Sequence, residues 1–175
     1  MKPFAKRFLQ VGLLAGGLFA IAVHLGCQST GQKPSKLLGQ PAPAWQLKDL
    51  EGKAVRSEDF KGKVVVLNFW ATWCPPCRQE IPDFIALQKE YGNRGLTFVG
   101  VALDEEGASA VKPFAKDAGI NYPLVIGDEK AVTAYESVEV VPTTYVIDRN
   151  GMVISRHIGS LTKAEMEQEI KPLLQ

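Results

Sequence analysis

Cysteine, histidine and net charge are all scarce in this chain of 175 residues. It has three cysteines and two histidines, and its 20 Lys and Arg nearly balance its 19 Asp and Glu. Three cysteines are too few for a disulfide-rich miniprotein, and the odd number leaves at least one outside any internal pair. The even charge argues against a nucleic-acid-binding protein, which needs a basic surplus or a basic stripe. The 46% of apolar residues excludes a wholly disordered chain.

The few unbalanced charges lie at the N-terminus, in front of an apolar run. Three of the first ten residues are Lys or Arg, no acid precedes Asp49, and residues 11–23 are all glycine or apolar. A run of 13 residues is short for a membrane span, which needs about 20, but it is typical of an export signal. Residues 1–26 are therefore interpreted as a signal or anchor segment. The domain behind it is expected to be extracytoplasmic and membrane-tethered, where disulfides persist.

The end of the apolar run leaves three alternatives open. The sequence Leu-Gly-Cys that ends at Cys27 resembles the end of a bacterial lipoprotein signal, in which the cysteine is acylated and becomes the new N-terminus. Ala20-Ile21-Ala22 offers an ordinary cleavage site instead, and an uncleaved segment would remain as an anchor. Lipid attachment at Cys27 is favoured among the three.

Residues 27–43 have the composition of a flexible linker, and residues 44–175 form one predicted domain with alternating strands and helices. Short strands at its start predict an N-terminal β-hairpin, and continuous apolar runs at 64–69 and 96–103 predict central strands covered on both faces. The first predicted helix is 75–91. Ser109 is expected to cap a helix that runs to about 118, Asp128 one that runs to about 137, and Thr162, through a capping box, the last helix. The remaining predicted strands are 122–126, 144–148 and 152–158. This order predicts an α/β domain with a mostly parallel sheet and an antiparallel edge.

A Cys-x-x-Cys pair, Cys74 and Cys77, lies where a predicted buried strand passes into a predicted helix. Cys74 is expected to be the N-cap, followed by a proline at the first helical position, where its missing N–H is tolerated. The helix N-terminus presents unpaired N–H groups and a partial positive charge, which together lower the pKa of a cysteine there. The pair is therefore predicted to cycle between dithiol and disulfide.

The sequence favours redox chemistry over the other possible roles of the cysteine pair, which are metal binding and a purely structural disulfide. A structural zinc site usually has four ligands, and the other candidates are only Cys27, His24 and His157. A purely structural disulfide that closes so small a loop would constrain the unfolded chain little. Copper delivery by the pair with His157 stays a non-enzymatic alternative. We otherwise expect no metal, and no cofactor beyond a redox-active disulfide.

The segment around the pair resembles a known active site. Residues 69–77, Phe-Trp-Ala-Thr-Trp-Cys-Pro-Pro-Cys, are similar to thioredoxin-fold proteins, and most of all to the membrane-tethered thiol–disulfide oxidoreductases of the TlpA/ResA-like family. The Glu-x-Pro at 80–82 matches that family, and Val-Pro-Thr at 141–143 matches the cis-proline loop of the fold. The stretch 105–138 resembles the central insertion of the family. The resemblance covers about residues 40–175 and implies a thioredoxin-like fold.

The resemblance implies a role for each cysteine and for one acid. Cys74, expected to be exposed, attacks a partner disulfide, and the more buried Cys77 resolves the mixed disulfide. Thioredoxin has a buried acid six residues before the first cysteine, where this chain has Asn68. We therefore expect Glu80 to have a raised pKa and to accept the proton of Cys77. The alternative for Glu80 is a solvated acid that favours the helix dipole.

The expected substrate contacts come from two loops. Pro142 is expected to be cis and to leave the backbone of Val141 free to pair with an extended substrate; the alternative is an ordinary trans proline. Thr143, which follows the proline, is expected to contact substrate as well. Trp73 is expected to shield Cys74 and to offer partners a flat apolar surface, and its alternative is plain core filling.

The function implied by the resemblance is reduction of oxidised cysteine pairs in exported proteins, including the haem-attachment sites of apocytochromes c. A membrane thiol transporter would restore the dithiol, and a lipid or an N-terminal anchor would hold the chain, expected to be a monomer, at the membrane. The direction of electron flow depends on a reduction potential that the sequence does not give. The enzymatic alternative is a peroxiredoxin-type peroxidase, although Thr72 lies two residues before Cys74 rather than three.

Overall fold

The computed structural model of this chain describes residues 35–175. The predicted signal or anchor segment, Cys27 and the first part of the predicted linker lie outside the described residues. Within the described range, no helix combines the length and the apolar character that crossing a bilayer requires.

In residues 35–175, seven strands form one mixed sheet in the order β2-β1-β5-β4-β3-β6-β7. The strands are β1 (Gln46–Asp49), β2 (Ala54–Arg56), β3 (Val64–Trp70), β4 (Leu96–Ala102), β5 (Leu124–Ile126), β6 (Thr143–Ile147) and β7 (Val153–Ile158). The helices are α1 (Pro75–Tyr91), α2 (Ala108–Ala118), α3 (Glu129–Ala134) and α4 (Lys163–Ile170). The order of elements and the N-terminal hairpin agree with the prediction.

The prediction of a mostly parallel sheet is wrong. Only β3, β4 and β5 run parallel, whereas the other four pairings are antiparallel. Residues 127–142 connect β5 to β6, and the six residues of α3 lie within this connection. The chain does not cross back over the sheet before β6, so β6 starts at the end of the sheet at which β5 stops and runs antiparallel to β3.

β3 and β4 form the centre of the domain, as their continuous apolar runs predict. Every residue of both strands is buried. Alternate residues of β3 face two layers: Val64 and Val66 pack with α1 and α4, and Leu67 and Phe69 pack with the hairpin and α3. The carboxyl ends of these two strands therefore form a rigid edge on which a site can be built.

The stretch 105–138, which resembles the family's insertion, supplies α2, β5 and α3. β5 pairs with β4 on one side and with β1 on the other, so it joins the hairpin to the central sheet.

The N-termini of α3 and α4 are capped by the side chains of Asp128 and Thr162, as predicted. The predicted cap at Ser109 is wrong, because α2 begins at Ala108 and Gly107 is its N-cap.

The domain begins before residue 44, the predicted boundary. The amide of Gly39 donates to the carbonyl oxygen of Val153 at 2.8 Å, and that of Ala42 donates to Gly151 at 2.8 Å. β7 is an edge strand, so it has free backbone groups for this segment. Residues 35–43 therefore lie against the domain despite their linker-like composition.

Candidate active site

Cys74 and Cys77 are joined as a disulfide at the N-terminus of α1. Cys74 is the N-cap of this helix and Pro75 its first residue, as the sequence predicts. The amide of Cys77 donates to Sγ of Cys74 at 3.2 Å. Unpaired N–H groups at a helix N-terminus carry partial positive charge, so this contact stabilises a thiolate on Cys74 when the disulfide opens.

Both cysteines are buried, and the expectation that Cys74 is exposed is therefore wrong for the disulfide form. Cys74 is 2% exposed and Cys77 is fully buried. Sγ of Cys74 lies 3.7 Å from the carbonyl oxygen of Val141, and the pair packs against Ala71 and Ile81. A partner disulfide can reach only a small part of Cys74.

The loop before β6 has the expected cis bond between Val141 and Pro142. Val141 is partly buried and turns its carbonyl oxygen toward Cys74. Thr143 is buried, and its hydroxyl donates to the carbonyl oxygen of Val140 at 2.6 Å. As the first residue of β6, Thr143 supports the loop from within through its side chain, and its contact with substrate stays a prediction.

Two apolar side chains beside the disulfide are exposed. Trp73 is 64% exposed, which excludes core filling as its role. Val140 is 52% exposed and precedes the cis-proline loop. Sequence reasoning missed Val140, although an apolar residue in a loop next to a predicted substrate contact was a usable signal.

Glu80 is buried one helical turn after Cys77, with 2% of its surface exposed. Asn68 donates its side-chain amide to Oε1 at 2.9 Å, and the backbone amide of Leu161 donates to Oε2 at 3.1 Å. Burial raises the pKa of Glu80 to about 7, while the two hydrogen bonds lower it to a smaller extent. The expected rise is therefore present, and the alternative of a solvated acid is wrong.

Asn68 forms two side-chain hydrogen bonds at the site that the sequence did not predict. Its side-chain amide donates both to Glu80 and to Oγ1 of Thr144, each at 2.9 Å. The position at which thioredoxin has an acid therefore holds a residue that orients another acid. Two sequence signals pointed to Asn68: its polarity inside an apolar strand, and its place where thioredoxin has a buried acid.

The copper alternative lacks its third ligand. Among residues 35–175, no group of three or more His, Cys, Asp or Glu side chains is arranged to hold a metal ion. Nε2 of His157 instead lies 2.6 Å from Oε1 of Glu169. The structure does not bring His157 together with the cysteine pair.

Residues 38–156 match the sequence model of the AhpC/TSA family. The chain belongs to this family. It is 43% identical over 133 residues to the thioredoxin-like protein YneN of Bacillus subtilis, covering 75% of this chain and 78% of that protein. It is also 36% identical over 173 residues to the thiol-disulfide oxidoreductase ResA of Geobacillus thermodenitrificans, covering 99% of each chain.

A solved structure supports the thioredoxin-like fold. The crystal structure of a thiol:disulfide interchange protein of the thioredoxin family from Chlorobium tepidum has a TM-score of 0.71 and 38% identity, covering 77% of this chain and 96% of that one. The predicted thioredoxin-like fold and the predicted resemblance to the ResA-like proteins are confirmed. The chain is a thiol–disulfide oxidoreductase.

Proposed function

We propose that this oxidoreductase reduces oxidised cysteine pairs in exported proteins, among them the haem-attachment cysteines of apocytochromes c. The observation that carries the proposal is the buried Glu80, whose pKa is raised to about 7 by burial. A reductant must deprotonate its second cysteine inside the protein to complete each cycle. A base with a pKa near the ambient pH is the efficient choice for such a transfer.

The proposed cycle uses Cys74 as nucleophile and Cys77 as resolving thiol. The Cys74 thiolate attacks one sulfur of the partner disulfide, whose S–S bond breaks as the mixed disulfide forms, and the other partner sulfur leaves as a thiolate that takes up a proton. Cys77 gives its proton to Glu80, and the Cys77 thiolate attacks Sγ of Cys74 and expels the second partner sulfur. The partner gains two electrons and this chain becomes the disulfide.

In this proposal the domain acts outside the cytoplasm. Its support is the basic N-terminus followed by the apolar run at residues 11–23, with lipid attachment at Cys27 as the favoured tether. A membrane thiol transporter supplies the two electrons that restore the dithiol, and the domain acts as a monomer. An acylated Cys27 leaves the chain with no thiol besides those of the reactive pair.

The experiment is to trap the mixed disulfide in cells. Cys77→Ser removes the resolving thiol, so exported partners should accumulate on Cys74, and Cys74→Ser is the matched control that should trap none. Apocytochrome c on the trapped chain is the expected result. A trap that holds no exported protein would overturn the proposal.

The reduction potential decides the direction of electron flow. A value near that of thioredoxin, about −270 mV, is expected for a reductant, whereas a value near about −120 mV would make the chain an oxidant. Rapid consumption of peroxide by the dithiol would instead favour the peroxidase alternative.

A further inference from the structure

A buried carboxylate, that of Asp104, contacts the loop that leads to Cys74 and takes no part in the proposed proton transfer. β4 ends at Ala102, and the next amide, that of Leu103, donates to the carbonyl oxygen of Trp70 at 2.9 Å. The two central strands therefore stay paired to the end of β3. This places Asp104, which is 5% exposed, beside the connection between β3 and α1.

Both polar hydrogens of Thr72 are directed at this carboxylate. The amide nitrogen of Thr72 lies 3.2 Å from Oδ1 and 3.1 Å from Oδ2 of Asp104, and the Thr72 hydroxyl donates to Oδ1. No Lys, Arg or His in the described part of the chain forms a salt bridge with Asp104. A buried carboxylate needs hydrogen-bond donors to offset its lost hydration, and Thr72 provides them.

The other restraints on the loop between β3 and α1 are the buried Ala71 and backbone hydrogen bonds, among them one from the amide of Arg78 to the carbonyl oxygen of Cys74 at 3.1 Å. Ala71 is buried and its carbonyl oxygen accepts from the amide of Cys74 at 3.2 Å, whereas Trp73 projects into solvent. Across residues 35–175, Thr72 is the one residue of positions 71–73 whose side chain forms a hydrogen bond. The contact between Thr72 and Asp104 is therefore the side-chain anchor of this loop.

We propose that Asp104 is a positioning residue for the reaction: through Thr72 it keeps Cys74 at the N-terminus of α1 when the disulfide opens. In the disulfide, the bond to Cys77 fixes Cys74. In the dithiol that bond is gone, and the approach of the Cys77 amide to Sγ of Cys74 depends on the loop. A thiolate that moves away from the helix N–H groups is less stabilised. The inference rests on the proposed function, in which Cys74 is the attacking thiol.

The test compares Thr72→Val with Thr72→Ser in the reduced full chain. Val keeps the shape of Thr without its hydroxyl, and Ser keeps the hydroxyl. Iodoacetamide labels the thiols, and mass spectrometry of peptides separates Cys74 from Cys27 and Cys77. At pH 7 we expect labelling of Cys74 to be about three to ten times slower in the Val variant, with its pH profile shifted upward by up to about one unit. The Ser variant should stay within about twofold of the unchanged chain.

The possible results separate the two proposals. Equal rates for the Val variant and the unchanged chain would overturn the positioning role. If labelling of the unchanged chain shows that Cys74 is not the more reactive thiol of the pair, the proposed function fails instead, whatever the variants do.

Asp104→Asn is the second test. Asn matches Asp in size, but its side chain has one acceptor oxygen where the carboxylate has two, so slower labelling of Cys74 is expected again. The double variant with Thr72→Val should be no slower than the slower single variant, because both changes remove the same contact. Faster labelling in Asp104→Asn would overturn the proposal, since Asp104 would then act on Cys74 through its negative charge alone. Circular dichroism checks that each variant is folded.

Discussion

The side-chain amide of Asn68 donates to Oε1 of Glu80 at 2.9 Å, across the interface between β3 and α1. This hydrogen bond favours the ionised form of Glu80 and so lowers its pKa, against the larger effect of burial, which raises it to about 7. The polar residue in the central strand therefore tunes the acid that the proposed mechanism uses.

Asn68→Ala should move the titration of Glu80 above pH 7. The variant removes a donor to the carboxylate, so the neutral form is favoured and the pKa rises. The rate at which Cys77 resolves a mixed disulfide, measured by rapid quench from pH 5 to 9, should have its midpoint at higher pH. Thr144→Val is the control, because it removes the other acceptor of the Asn68 amide and leaves the bond to Glu80 in place. An unchanged midpoint in Asn68→Ala would exclude Glu80 as the proton acceptor.

Glu80→Gln should change how stability depends on pH. The pKa of Glu80 is about 7 in the folded chain against a reference of 4.5. Between these values the folded state binds a proton that the unfolded state does not, so the free energy of unfolding falls as the pH rises through this window and is level above it. Relative to Glu80→Gln, the unchanged chain should lose on the order of 3 kcal/mol between pH 4.5 and pH 8.

Urea unfolding across this pH range measures the effect. Glu105→Gln, a change at an exposed acid, should give a pH dependence parallel to that of the unchanged chain. A constant difference between the unchanged chain and Glu80→Gln would mean that Glu80 titrates normally.

Several features of the fold and of the site are local, and these could be predicted from the sequence. Continuous apolar runs identify β3 and β4, and a Cys followed by Pro at the start of a helical pattern identifies Cys74 as an N-cap. The raised pKa of Glu80 was expected from the resemblance, because Asn68 replaces the acid of thioredoxin and Glu80 lies three residues after Cys77. Each of these depends on residues a few positions apart.

The features that could not be predicted depend on residues far apart in the chain. Cys74 is buried partly by Val141, 67 positions away, and Thr72 is held by Asp104, 32 positions away. The direction of β6 depends on where the chain leaves α3. A pattern of apolar and polar residues gives the face of each element, but it does not say which loop from another element will cover it.

Glu136→Gln should release the first described residues from the domain. The Glu136 carboxylate accepts from the hydroxyl of Ser35 at 2.6 Å and from the amide of Lys36 at 2.7 Å, and it lies 3.4 Å from Arg156. Replacing the carboxylate weakens these charge-assisted bonds and should lower the free energy of unfolding by about 1–2 kcal/mol. Hydrogen exchange should become faster at residues 35–43. Glu139→Gln, at an exposed neighbour, should change neither quantity, and equal protection in both variants would refute the anchoring role.

Trp73→Ala should slow the reaction with protein substrates and leave folding intact. The side chain is largely exposed beside Cys74, so its removal creates no cavity, and the melting temperature should stay the same. An apolar contact with a partner worth about 1.4 kcal/mol corresponds to about tenfold in affinity. We therefore expect KM for a protein disulfide to rise about tenfold, with the reaction toward a small disulfide such as oxidised glutathione nearly unchanged. Ile154→Ala is the matched control, since Ile154 is an exposed apolar residue on β7, and it should alter neither rate. If Trp73→Ala slowed both substrates equally, Trp73 would act on Cys74 itself, and the partner contact would be excluded.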